Sequence, residues 1–428
     1  MRHKTGHGKN GALIRRERRL AYTMLLPTFL LVLAIVLLPL LANFWIAFKP
    51  ITLADLRPPE LVIKEQLRGT LSAKGDRARI EYRYRNSSIN YPLNEVLFTD
   101  KLPEGIEIRD LDPACQLGSS QTELRCDLGN LQKKARGRLR IEVQALANFD
   151  GDKKSFTESL PVPSFNSYNA MTSFDFSLVN FRKIFSADEF WSVLKVSIYY
   201  TFFGTAGALL LGLFAAQIMQ KTFPGRSIIR GLMLFPYVAP VIAMAFSWVV
   251  LFDPFSGVVN AMLQQLELTN TPINFFGQRA IEISVFGFGF KLPLALTMVI
   301  LFEVWRYFPL SFLFILARMQ SIPSDIYEAA EIDGATPSQQ FWFLSLPHIA
   351  GILAILFLLR FIWTFNKFDD IFLLTGGNAG TRTLTVNVYE QAFAISNLGA
   401  GAAVAVVIFA LLLFFSIIFI RFSPKDAD

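Results

Sequence analysis

The sequence predicts an α-helical polytopic membrane protein with a β-sandwich domain inserted outside the bilayer, and three observations carry that prediction. Six long apolar stretches are separated by polar turns. Hydrophobic residues make up 53% of the 428 positions and charged residues only 18%, against about 25% in soluble domains. Between the first and second apolar stretches lie roughly 140 mostly polar residues, enough for one small domain.

A hydrocarbon core of about 30 Å takes about 20 helical residues at ~1.5 Å each. Residues 21–48 carry no charge and follow Arg15, Arg16, Arg18 and Arg19, so they read as a retained first span behind a basic N-terminus at 1–20. A signal peptide would have a shorter apolar core. Residues 196–220 and 231–252 are likewise uncharged, and Pro236 and Pro240 are expected to kink the second of these. The fourth span, 292–319, holds Glu303 and Arg306 three residues apart, a spacing that permits an internal ion pair. A fifth runs from 349 to 372, and a sixth from 399 to 420 is closed by Arg421 and Lys425.

Basic residues flank these spans at the N-terminus, between Lys221 and Arg230, and in the tail at 423–428. All three regions are therefore expected in the cytoplasm. The net charge of +7 is explained by this bias, and nucleic-acid binding is not expected. The long polar insert then lies outside, with a β-sandwich over 55–160 and a Pro- and Ser-rich linker at 161–190 leading to a membrane core at 191–422. Arg79-Ile-Glu-Tyr-Arg-Tyr-Arg and Leu139-Arg-Ile-Glu-Val-Gln-Ala alternate as strands do, and Glu95-Val-Leu-Phe-Thr reads as another. The only two cysteines, Cys115 and Cys126, fall in this insert. An oxidising compartment allows a bridge between them, the alternative being two reduced buried thiols. With no His nearby, no metal site is expected.

Residues 324–347 interrupt the apolar core. Ser324 is placed to cap a short helix whose first turn holds Asp325 and Glu328, and Gly334 to end it. Thr336-Pro-Ser-Gln339 offers a capping box for a second helix that Pro347 is expected to stop. Ile326, Ala329, Ala330 and Asp333 share one face, and the two alanines leave it smooth enough for a partner's groove. A helix resting on headgroups would carry the Lys and Arg that this one lacks.

Glu328, Ala329, Ala330, Asp333, Gly334, Ala335, Leu346 and Pro347 stand at the spacing of the EAA loop, 321–347 here, and this segment resembles the permease subunits of binding-protein-dependent ABC importers. The resemblance covers 190–422 and is strongest to the sugar permeases, whose pattern is similar to Phe365-Asn-Lys-Phe-Asp and Leu373-Leu-Thr-Gly-Gly-Asn. It implies the type I importer permease fold, with Glu328 to Ala335 as the coupling helix and Pro347 closing the loop. It also implies a second, non-identical permease subunit, a dimeric ATPase that uses Mg-ATP, and a periplasmic or lipid-anchored binding protein. The insert over 66–146 is similar to an immunoglobulin-like repeat of bacterial surface proteins.

No phosphate-binding G-x-x-x-x-G-K-[ST] loop, nucleophile elbow or Cys/His cluster occurs, so the chain is expected to be a transport subunit with no cofactor of its own. Polar groups at membrane depth mark a solute path. Arg360, Trp363, Thr364 and Lys367 recur at helical spacing with Asn366 and Asp369 beside them, and Ser247 and Trp248 join by resemblance. Aromatic rings beside hydrogen-bonding groups suit a di- or oligosaccharide or a glycosylglycerol. The expected location is the bacterial inner membrane with both termini cytoplasmic. The competing reading is a membrane-anchored envelope scaffold or adhesion protein working through its β-sandwich.

Overall fold

The computed structural model describes residues 8–422 except 72, 119–121, 147–148, 150–155, 157–159 and 286–287. The expected tail after 422 and the first seven residues lie outside the described residues. The chain divides into two compact units. One joins 1–47 to 179–394 and 400–428, and the other comprises 48–178 with 395–399.

The membrane unit is helical. α1 (Gly8–Val32) passes through a π turn into α2 (Leu38–Ala47), so the helix begins upstream of the four arginines. There follow α3 (Val179–Ser186), α4 (Asp188–Gln220), α5 (Arg226–Met233), α6 (Phe235–Val238), α7 (Val241–Leu251) and α8 (Val258–Gln265). After a β-hairpin come α9 (Leu294–Gln320), α10 (Ser324–Ile332), α11 (Pro337–Gln340), α12 (Leu346–Phe365), α13 (Asp369–Thr375), α14 (Leu384–Tyr389) and α15 (Leu398–Phe422). Among the described residues, 5 helices are long and apolar enough to cross a bilayer, or 6 when the bent pair α5–α7 counts as one span.

α4 and α9 pack backbone to backbone because α4 presents Gly204, Ala208, Gly212 and Ala216 four residues apart. A Cβ on Gly212 would stand 2.7 Å from Ser311 Cβ and 2.8 Å from the Phe312 nitrogen, so the approach requires glycine there. In lipid, where apolar burial gives no drive, such small-residue stripes let dispersion and polar contacts hold helices together.

Two expectations about these helices are corrected. The third span is broken rather than kinked: the chain bends by 93° between Val238 and Val241. Pro240 lacks an N–H and drives Ala239 into extended backbone at ψ 147°, which no helix continues through. Pro347, by contrast, does not stop the second polar helix. A π turn at Phe341–Ser345 widens the backbone just before it, and the helix runs on from Pro337 to Phe365 as one span.

The second unit holds two four-stranded antiparallel sheets. β1 (Leu61–Arg68), β2 (Arg77–Asn86), β7 (Arg136–Ala145) and β4 (Ile106–Asp110) form one, in the order β1-β2-β7-β4. β5 (Cys115–Leu117), β6 (Glu123–Leu131), β3 (Leu93–Lys101) and β8 (Val162–Ser167) form the other, in the order β5-β6-β3-β8. Ile80, Tyr82, Ile141 and Val143 from the first face Phe98, Leu124 and Cys126 from the second across a shared apolar core. Cys115 and Cys126 pair directly in register and are joined by a disulfide between neighbouring strands of one sheet.

That core also contains acids. The Tyr82 hydroxyl donates to Asp100 at 2.5 Å, and Glu65, opposite Tyr82 in the β1–β2 register, lies beside Asp100. Burial, reinforced by the Asp100 carboxylate, pushes the Glu65 carboxyl up to about 9. A carboxyl raised in the folded state binds a proton that the unfolded chain releases above about pH 4.5, so the β domain loses stability as pH rises from there to about 9. Glu65→Gln imitates the protonated acid. We expect it to raise the domain's thermal midpoint at pH 8 by about 4 °C or more, and to leave it unchanged at pH 5, read by heat-pulse proteolysis of the full-length protein.

Candidate coupling corner and intramembrane polar site

α10 and α11 meet at a corner whose geometry follows from a few side chains. α10 begins one residue earlier than expected, with Pro323 at the N-cap and Ser324, the expected cap, already in the first turn. It ends at Gly334, whose φ of 79° lies in the left-handed region. Gly334 N–H donates to Glu331 O and Ala335 N–H to Ala330 O, the Schellman pattern that satisfies the last carbonyls. Thr336 and Gln339 then form a reciprocal capping box at the start of α11, with Pro337 in its first turn. The Tyr327 hydroxyl pairs with Ser345 Oγ at 2.8 Å and ties α10 to the π turn.

The exposed face differs from the expected one. Ile326 turns inward with Tyr327 against the helix core, and Ala330 is half-buried. Glu328, Ala329, Asp333 and Gly334 are exposed as a docking role requires, and Ala335 is half-buried. Sequence reasoning missed the apolar part of this surface: Ile332 is 87% exposed, with Phe343 and Trp342 exposed nearby in sequence. An Ile directly before a helix-ending Asp-Gly pair was the available signal.

The second site is a buried polar network. Glu303 on α9 accepts from Arg360 Nη2 at 2.6 Å, Thr364 Oγ1 at 2.9 Å and Tyr200 Oη at 3.1 Å. Glu303 and Thr364 are fully buried and Arg360 and Tyr200 nearly so. The expected Glu303–Arg306 pair does not form. The two side chains leave α9 toward different neighbours: Glu303 toward α4 and α12, Arg306 toward the broken span, where it donates to Pro236 O at 3.2 Å and Ala239 O at 3.1 Å. These carbonyls are the ones Pro240 leaves without helical donors, and a cation at such a terminus is favourable.

Tyr307 extends the network. Its ring lies 4.5 Å from the Arg360 guanidinium and 3.6 Å from Lys367 Nζ, its hydroxyl bonds Lys367, and Lys367 pairs with buried Asp370 at 3.1 Å. Tyr200 and Tyr307 were not identified from sequence. Their hydroxyls within apolar spans, Tyr307 one turn beyond Glu303, were the signal.

Arg360 and Thr364, four residues apart, thus converge, but Trp363 does not join them and is 52% exposed on another face of α12. Asn366 caps the end of α12 by donating to Ile362 O at 2.8 Å, and with Phe368, Thr385 and Ser416 it lines a groove of about 560 Å³. Asp369 is exposed at the start of α13. Ser247 donates to Ala243 O at 2.7 Å, while Trp248 packs against Phe302 and Trp305. The path residues therefore divide into a buried core, Arg360 and Thr364, with Lys367 at its partly open edge, and scattered surface positions.

A broken span, a small-residue seam and an exposed corner between two capped helices are what a transport permease would need. Residues 208–425 match the family of binding-protein-dependent transport system inner membrane components, and the chain belongs to that family. It is 36% identical over 233 residues, 54% of this chain and 74% of the relative, to YcjO, an inner membrane ABC transporter permease protein of Escherichia coli K12. It is 32% identical over 252 residues, 59% of this chain and 80% of the relative, to MalF, the trehalose/maltose transport system permease protein of Thermococcus litoralis. The fold is similar to that of a bacterial ABC transporter involved in alginate import, with a TM-score of 0.50 and 21% identity over 60% of this chain and 87% of the other.

Proposed function

We propose that this chain is the permease subunit of an ATP-driven importer for a sugar or sugar-like solute, forming half of the pathway with a second, non-identical permease. The observation that carries the proposal is the exposed, doubly capped corner at 324–340, set within a chain whose family is that of binding-protein-dependent transport. Glu328, Ala329, Asp333 and Gly334 are the contact for a dimeric ATPase, which holds the Mg-ATP, and Ala335 and Pro347 shape the turn behind it. Relatives named for trehalose/maltose and for sn-glycerol-3-phosphate transport support a polyol-bearing solute. The basic residues flanking the spans support cytoplasmic termini and an extracytoplasmic β domain in a bacterial inner membrane.

Trp363, exposed on α12, and Asn366 face the partner subunit or the solute in this reading, and Lys367 reaches the path from the edge of the buried network. An adhesion or scaffold role is not favoured, since an anchor needs one or two spans and has no use for the corner. The test is reconstitution of the chain with its genomic neighbours in proteoliposomes. Binding-protein-dependent accumulation of trehalose, maltose or glycerol 3-phosphate only with enclosed ATP supports the reading, and equal flux without ATP contradicts it.

A further inference from the structure

The outer face of the β1-β2-β7 sheet carries a cationic ladder that the transport reading does not use. Register sets Lys64 opposite Arg83 and Arg83 opposite Arg138, and on the adjoining rung Arg85 opposite Arg136. Directly opposed like charges destabilise a sheet. Composition does not force them together, because residues 61–167 contain 17 Lys and Arg against 15 Asp and Glu. Among the described residues Lys64, Arg85, Arg136 and Arg138 form no ion pair. Glu81, two residues from Arg83 on the same strand, is engaged by Arg83 and Arg68, and the Arg83 hydrogen bond holds its carboxyl below the usual carboxylate range.

Edge protection accounts for only part of the ladder. Charges that guard a sheet against edge pairing sit on open edges; β4 pairs with β7 only over 142–145, which leaves Arg136 and Arg138 on an open stretch, but Arg83 and Arg85 lie on β2, paired on both sides. The five cations line a concavity of about 460 Å³ together with Val62, Tyr84 and Gly137. That volume falls in the range of small-ligand sites, roughly 300–1,000 Å³. Along a strand the alternate cations repeat at about 6.6 Å, a spacing that a chain of anionic groups matches.

We infer that this face is a binding site for a small oligomeric anion bearing two or more phosphate or carboxylate groups, such as a phosphorylated or uronate-containing oligosaccharide. Guanidinium groups grip either oxyanion through paired N–H donors. The site is separate from the intramembrane network, and its test does not depend on transport.

Full-length protein in nanodiscs of neutral lipid is titrated calorimetrically with tripolyphosphate, trigalacturonate and neutral maltotriose. Wild type binds one or both anions, more weakly as salt rises. The Arg85→Gln/Arg136→Gln/Arg138→Gln variant loses at least about tenfold in affinity, while the corresponding Lys triple, which keeps the charge but not the paired donors, loses less. Binding of tripolyphosphate alone assigns a phosphorylated ligand, and of trigalacturonate alone a carboxylated one. Because the Gln triple removes repulsion, its β domain melts no lower than wild type. Unchanged anion affinity in the Gln triple, equal loss in the Lys and Gln triples, or equal binding of maltotriose overturns the assignment.

Discussion

Replacing Gly334 with valine is expected to abolish ATP-coupled uptake while leaving the protein inserted and folded. A Cβ at this position meets no atom within 4 Å, so the effect is conformational rather than steric. With φ at 79°, an L side chain costs roughly 1–2 kcal/mol, more for a β-branched one. That strain is too small to unfold a bundle held by the α4–α9 seam, but it shifts the balance between this corner and its alternatives about tenfold against it. It also strains the paired bonds from Gly334 and Ala335 to Glu331 O and Ala330 O that close the end of α10. Gly334→Asn, which tolerates the left-handed region, should retain most of the uptake, whereas Glu328→Lys should lose it by reversing an exposed charge. Uptake in proteoliposomes at equal reconstituted protein separates these outcomes; normal uptake in both Gly334→Val and Glu328→Lys counts against coupling at the corner.

Arg360→Met is the second large effect, and it acts on stability. It leaves Glu303 fully buried, still hydrogen-bonded by the Thr364 and Tyr200 hydroxyls but without its ion pair to Arg360. Removing one partner of a buried ion pair costs roughly 3–5 kcal/mol, chiefly because the remaining charge is uncompensated. The double variant Glu303→Gln/Arg360→Met removes that charge and should recover most of the loss. A thermal melt of detergent-solubilised protein reads both, and additive effects of the two single changes would show that the pair is not coupled.

How much of this was legible in sequence depends on how local each cause is. The apolar spans and the corner were readable because hydropathy, Gly334 and the Thr336-to-Gln339 box act within a few residues. The partner of Glu303 was not. Spacing offered Arg306 on the same helix, but the choice is made by which neighbour each side chain faces, and Arg360 lies 57 positions away. Pro240 and Pro347 looked alike as helix breakers; one breaks a span because Ala239 goes extended, the other is absorbed by a π turn. In the β domain three strands were visible by alternation, while the cationic rungs emerge only once the register of β1, β2 and β7 is known.

The most direct test of the account is site-specific photocrosslinking in native membranes from a benzoylphenylalanine placed at Ile332, the most exposed apolar side chain of the corner. The account predicts an adduct with a nucleotide-hydrolysing subunit and protection of the corner from membrane-impermeant reagents added outside whole cells. Labelling of the corner from outside, or adducts that never include such a subunit, would contradict it.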